Sequence, residues 1–161
     1  MFDLRNRAKP PLKWAGGKSQ LLNQLVGHFP HCFNRLIEPF LGGAAVALSV
    51  QQGTPALLND SNSELINLYA VIKDKPHELM AVLDRLAQQY SGDFYYQLRA
   101  DTPASPVEQA ARTLFLNKTG FNGLYRQNQQ GKFNVPFGHR PTCPKLYVQQ
   151  KGLGRIRPIA H

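Results

Sequence analysis

Apolar residues fall into three patterns along the chain. From Leu21, the positions Leu21, Leu22, Leu25, Val26 and Phe29 recur at helical spacing, with Ser19 placed ahead of them as a cap. Leu36-Ile37-Glu38 is a short apolar run stopped by Pro39, and Ala56-Leu57-Leu58-Asn59 is a second one stopped at Asp60. Between them Gly42-Gly43 leads into small residues, and a helix is expected over Ala44 to Gln52. Strand, glycine turn, helix and strand make a right-handed βαβ unit.

The pattern turns helical from Asn62 to Lys118. Leu65, Ile66, Leu68 and Tyr69 fit one helix. Pro76 opens a second, with Leu79, Leu83, Leu86 and Tyr90 on its face. Ser105 and Glu108 form an S-x-x-E capping box ahead of Val107, Ala111, Leu114 and Phe115. Thr119 to Tyr147 is rich in Gly, Asn, Pro and aromatic residues, and Asn122-Gly123 predicts a hairpin turn there. Val148 to His161 shows no periodicity.

Composition narrows the class. At 161 residues with 42% hydrophobic and 18% charged side chains, one domain, or one and a half, with its own core is expected. No apolar run approaches the about 18 residues of a membrane helix, and the basic stretch Met1 to Leu12 does not read as a signal peptide. Two cysteines, Cys32 and Cys143, are too few for a disulfide framework or a zinc site, and a reducing, cytoplasmic setting is expected. Charge is unevenly placed. Residues 1–108 carry 10 basic and 10 acidic side chains, whereas residues 109–161 carry 9 basic and none acidic. The excess of +9 thus lies in the last third, as expected of a surface for phosphate backbones, or of a solvated basic tail.

Four clusters carry candidate chemistry. Gly17-Lys18-Ser19 has the end of a phosphate loop, but Leu12 stands where that motif needs its first glycine. What is left is a helix start with Lys18 to hold an anion and Trp14 to cover a flat ring, or a plain glycine turn. Glu38-Pro39-Phe40-Leu41-Gly42-Gly43 lets a ligand approach the backbone after a strand, and its acid suits an ammonium or a ribose. Asn59-Asp60 ends the next strand, where an acid reaches ribose hydroxyls or caps the following helix. The fourth cluster runs from Asn117 to Gly138 without an acid. Phe121 is a base-stack wedge, Asn122 and Arg126 are base readers, and Lys118, Lys132, His139, Arg140 and Lys145 are phosphate grips. A solvated hairpin with packed aromatics is the alternative.

Five blocks in order, Lys13-Trp14-Ala15-Gly16-Gly17-Lys18, Glu38-Pro39-Phe40-x-Gly42, Asn59-Asp60-x-Asn62, Gly120-Phe121-Asn122-Gly123-Leu124-x-Arg126 and Phe133-Asn134-Val135-Pro136-Phe137-Gly138, resemble the Dam-type DNA adenine methylases of class D12. The resemblance spans residues 9–147. It implies an α/β fold: part of a Rossmann-like S-adenosylmethionine-dependent methyltransferase sheet, with an inserted helical target-recognition domain and a β-hairpin. It divides the chain into a cofactor part (9–61), a recognition part (62–147) and a non-matching tail (148–161). It implies methyl transfer from S-adenosylmethionine to adenine N6 in double-stranded DNA, commonly at GATC, with base flipping, no metal and a monomeric full-length form. Cofactor contacts would fall to Trp14, Lys18, Glu38, Phe40, Gly42 and Asp60. Duplex contacts would fall to Lys13, Lys118, Phe121, Asn122, Leu124, Arg126, Pro136, His139 and Arg140.

Three departures qualify that implication. Ala44 stands where many members have a second glycine. Phe121 stands where the family often has a Tyr. The family's catalytic Asp-Pro-Pro-Tyr is absent from these 161 residues, and no Asp or Glu follows Glu108. No catalytic residue is therefore assigned. The expectation is a methylase truncated before that motif and inactive alone, with poor solubility. The alternatives are a non-catalytic DNA-binding remnant and, less favoured by the incomplete glycine fingerprint, a nucleotide-binding oxidoreductase fragment.

Overall fold

The computed structural model describes residues 2–4, 7–51 and 53–146. Two strands, β1 (Leu36–Glu38) and β2 (Ala56–Leu58), pair in parallel with Leu36 opposite Ala56 and Glu38 opposite Leu58. Parallel pairing requires a long crossover, which residues 39–55 supply. Among its described residues that crossover contains one 3-10 turn, Ala47–Ser49, and not the helix expected over Ala44 to Gln52. Two features stop the helix from starting. Ala44 sits at φ 58, the left-handed region, and the Ala47 N–H is taken by Glu38 Oε2 at 3.1 Å. Ahead of β1, α1 (Leu22–Val26) is only five residues long. It begins after Leu21 with no side-chain cap, so Ser19 does not cap it, and Leu21 and Phe29 lie in solvent.

The body of the molecule is helical. In α2 (Ser63–Asp74), Asn62 Oδ1 accepts the Leu65 N–H at 3.1 Å, and Leu65, Leu68, Tyr69, Val71 and Ile72 are buried. α3 (Pro76–Gln88) starts at its proline and buries Leu79, Leu83 and Leu86 at i, i+4, i+7 spacing. α4 (Gly92–Ala100) was not separated from its neighbours by periodicity. Ser91 caps it, its Oγ accepting the Phe94 N–H at 3.1 Å. α5 (Pro106–Thr119) packs against α2, α3 and α4 and is buried along most of its length. Its capping box is not made: Ser105 forms no side-chain cap, and Glu108 pairs with Arg85 at 3.4 Å. Arg112, on the buried side of α5, donates to the carbonyls of Leu98 and Arg99 at the end of α4 and pairs with Glu64 at 3.5 Å.

After α5 the chain makes a 3-10 turn, Phe121–Gly123, and then folds back on itself. Asn122-Gly123 belongs to that first turn. The hairpin turn lies further on, where the Asn128 N–H reaches the Lys132 carbonyl and the Gly131 N–H reaches Asn128, both at 2.9 Å. Single antiparallel bridges join Gln127 to Phe133 and Gly120 to Phe137. Phe133, Val135 and Phe137 are buried, and the Gly138 N–H donates to the Thr119 carbonyl at 2.9 Å. A Cβ on Gly138 would lie 2.7 Å from that carbonyl oxygen, so the close return onto the end of α5 requires glycine. Expectations for residues 148–161 lie outside the described residues. No described helix is long and apolar enough to cross a membrane.

Candidate functional site

Glu38 closes β1 and is buried. Burial raises its carboxyl to about 6, while the nearby Lys18 ammonium and the Ala47 N–H pull the other way. Lys18 Nζ lies 3.7 Å from Glu38 Oε1, an ion pair longer than a hydrogen bond, and donates to the Phe40 carbonyl at 3.2 Å. Among the described residues, Glu38 Oε1 and Tyr69 OH are the two buried side-chain oxygens or nitrogens without a hydrogen-bond partner. Asp60 ties the two strand ends together: Oδ2 accepts the Gly42 N–H at 2.8 Å and Oδ1 the Asn62 N–H at 3.0 Å. Gly42 has φ 52, and a Cβ there would lie 3.1 Å from Trp14 Cδ1, so the indole lies against bare backbone. Phe40 stands 75% exposed at the rim. Trp14, Lys18, Phe40, Gly42 and Asp60 line one recess of about 190 Å³, and Glu38 lies behind it, paired to Lys18.

The other candidates gather at the end of α5. Asn117 is fully buried there. Its Oδ1 accepts the Lys13 N–H, and its Nδ2 donates to the carbonyls of Lys13 and Gly123, each at 3.0 Å. One amide thus holds the 13–18 loop against the 121–124 turn. Lys13 Nζ reaches the Asn122 carbonyl at 3.4 Å. Phe121 is 51% exposed, Leu124 43%, and Asn122 sits at φ 55. Burial lowers the Lys118 ammonium below its ordinary range, and the charges of Lys13 and Arg140 lower it further, which marks three cations sharing one side.

A second recess, of about 600 Å³, is lined by Lys13, Trp14, Gly17, Asn122, Gly123 and Leu124, among others. The two recesses share Trp14 to Gly17 and Gly43. Arg126, Pro136, His139 and Arg140 line neither. Arg126 is exposed and donates to Asn134 Oδ1 at 2.8 Å. Pro136 accepts the Phe121 N–H at 2.9 Å, His139 packs against the Phe137 ring at 5.1 Å, and the Arg140 carbonyl accepts from Tyr90 OH at 2.9 Å.

These blocks match a family model, that of the D12 class N6 adenine-specific DNA methyltransferase, over residues 14–153. The chain belongs to that family. D12 relatives include a Type II methyltransferase, M1.LlaDCHI, from Lactococcus lactis subsp. cremoris, 40% identical over 86% of this chain and 50% of its own length. Another, M.MjaIII from Methanocaldococcus jannaschii, is 36% identical over 88% of this chain and 56% of its own. The DNA adenine methylase of Escherichia coli (strain K12) is 40% identical over 88% and 51%. The chain therefore spans about half the length of the curated relatives it matches. D12 enzymes are transferases, and a structure of helices with a small parallel sheet agrees with an α/β methyltransferase. The family match continues past Tyr147, where the span of the motif resemblance ends.

Three residues around the site were given no role by sequence reasoning. Asn117 carried a signal: a polar residue three positions after Leu114, on the buried face of α5. Tyr69 sits on the apolar face of α2, where it reads as core, and its hydroxyl has no counterpart in periodicity. Tyr125 packs against Trp14, with ring centroids 4.6 Å apart. Neither its spacing nor its neighbours announced that contact.

Proposed function

We propose that these residues bind S-adenosylmethionine and adenine-containing duplex DNA, as the cofactor and recognition parts of an N6-adenine methylation system. The carrying observation is that the recess at the strand ends and the recess at the recognition turn share one wall, Trp14 to Gly17 and Gly43. The first recess, at about 190 Å³, would hold one end of the cofactor. Glu38 Oε1 is buried and, beyond its 3.7 Å ion pair to Lys18, makes no hydrogen bond, so it could accept from an ammonium or hydroxyl group, and the bare backbone of Gly42 lets the Trp14 indole lie close as the recess wall. Trp14, Lys18, Phe40 and Asp60 would complete that contact, with Asp60 at ribose hydroxyls. When bound, the cofactor supplies an electrophilic methyl group.

On the duplex side, Lys13, Lys118 and Arg140 hold phosphates, the exposed Phe121 stacks beside the flipped base, and the exposed Leu124 gives an apolar contact to the bases. Asn122 and Arg126 read base edges of a GATC-like site in the major groove, while the target adenine is flipped out. Pro136 and His139 border that surface. Residues 9–61 serve the cofactor, Lys13 excepted, and residues 62–147 the duplex. Asp-Pro-Pro-Tyr does not occur in these 161 residues, so the transfer step is assigned to none of them.

Calorimetry with S-adenosylmethionine and polarisation of a labelled GATC duplex test both halves. Binding of both is expected, with radiolabelled methyl transfer at the no-protein level. Transfer above that level would show that residues present here do the chemistry. Duplex binding without cofactor binding would leave a DNA-binding remnant, and a melting shift with a nicotinamide cofactor alone would point to an oxidoreductase. Arg126→Ala is expected to blur discrimination among duplexes, whereas Lys145→Ala lowers affinity for all of them and flattens the salt dependence. Equal losses on every duplex from both variants would sink the direct-readout role of Arg126.

A further inference from the structure

We propose that Tyr125 is the positioning residue that fastens the recognition turn to the cofactor turn, so that a duplex seated on the turn alters the setting of Trp14. This rests on the duplex reading above.

Tyr125 lies between Leu124 and Arg126, both exposed, yet its own side chain turns inward. Its ring packs on Trp14 with centroids 4.6 Å apart and a tilt of 31°, and it meets Phe133 edge-on at 5.5 Å. Its hydroxyl donates to Glu64 Oε2 at 2.7 Å and accepts from Asn62 Nδ2 at 3.1 Å. Asn62 in turn donates its N–H to Asp60, whose other oxygen holds the Gly42 N–H. One side chain therefore touches the indole wall of the cofactor recess and, through Asn62, is linked to its carboxylate clamp, from a backbone position inside the recognition loop. A duplex that contacts Leu124 or Arg126 pulls on the residue between them, and stiff, close-packed contacts carry the shift to Trp14.

Trp14 is the single tryptophan of the chain, so its emission reports one side chain, in the wall that the two recesses share. The full chain is titrated with an unlabelled GATC duplex while Trp14 emission is read, and in parallel with the labelled duplex by polarisation. A saturable emission change with the same midpoint as the polarisation curve is expected. Polarisation without an emission change would overturn the coupling and leave the duplex reading intact. Absence of a polarisation change would overturn the duplex reading and the coupling with it.

Two variants assign the effect to the ring. Tyr125→Phe and Tyr125→Leu both lose the hydroxyl, but only Phe keeps an aromatic face against Trp14. Tyr125→Phe is expected to retain the emission change. Tyr125→Leu is expected to lose it at duplex concentrations that saturate polarisation. A Leu variant that repeats both wild-type curves would show that Tyr125 is packing only. The wild-type comparison needs no variant and stands even if the Leu variant is unstable.

Discussion

Around α5, Ala110, Ala111, Leu114, Phe115 and Leu116 are fully buried, and the one cation among them, Arg112, is satisfied by two carbonyls and a carboxylate. The loops that meet at Trp14 are built differently. They leave Phe40, Phe121 and Leu124 in solvent, hold Ala44 and Asn122 at positive φ, and adjoin a buried carboxylate oxygen of Glu38 that has no hydrogen-bond partner. The difference separates stability from chemistry. The helices gain free energy from burial and, Tyr69 OH apart, from satisfied side-chain hydrogen bonds, while the loops retain positive-φ strain and exposed apolar side chains.

The largest effect expected is in the helical body. Leu114→Ala is expected to lower unfolding free energy by about 2–5 kcal/mol, measured by urea titration, because a fully enclosed leucine leaves a cavity. An effect below 1 kcal/mol, by the same scale, would break the contrast. Next comes Asn117→Ala, which sits on the border of the two regions. Its three hydrogen bonds leave unpaired groups behind, at about 1–3 kcal/mol. It is also expected to weaken cofactor and duplex binding together, which a purely structural core mutant such as Leu114→Ala would not do in the native plateau.

Glu38→Gln is expected to act with the opposite sign. Because burial raises the folded carboxyl from 4.5 to about 6, the protonated form favours the fold. Its stabilising contribution is complete below about 4.5 and is lost as pH rises through about 6. Removing the charge should therefore stabilise the chain by about 2 kcal/mol at neutral pH and by almost nothing near pH 4. Thermal melts across that range, together with weaker S-adenosylmethionine binding by the variant, would sharpen the contrast. A pH-independent gain would remove desolvation as its cause. Smallest is Ala44→Gly. Relief of about 1–2 kcal/mol of left-handed strain is offset by a lost buried methyl and by glycine's greater entropy, so a net change under about 0.5 kcal/mol is expected. A change several times larger in a melt would mean that strain or burial dominates there.

Legibility in the sequence followed the same divide. β1 and β2, and the helices α2, α3 and α5, were readable because leucine spacing reports burial directly. α4 was lost among its neighbours because it is short and opens on glycine, although Ser91, Asp93 and Arg99 mark its ends. The helix expected after Gly43 failed at Ala44, where small-residue composition concealed a left-handed residue. Asn122-Gly123 suggested a hairpin because that pair favours positive φ, and both residues do adopt it. The conformation was legible, but its place in the fold was not. In the site, the motif blocks located Trp14, Lys18, Gly42 and Asp60 around one recess. The partners that hold those loops, Asn117 and Tyr125, act across more than 60 residues of sequence, which local pattern cannot register.

The Asn122-Gly123 turn also bears on how the molecule ages. An asparagine followed by glycine loses its amide when the next backbone nitrogen attacks the side-chain carbonyl. Here the Gly123 N–H is committed to the Gly120 carbonyl at 3.1 Å, and Asn117 holds the Gly123 carbonyl. While those bonds last, the attacking nitrogen is held back. Once the turn frays, hydrolysis would set a carboxylate beside Lys13 and Leu124, on the surface proposed to face phosphates. In stored protein the proposed duplex affinity would then fade before any loss of helix showed.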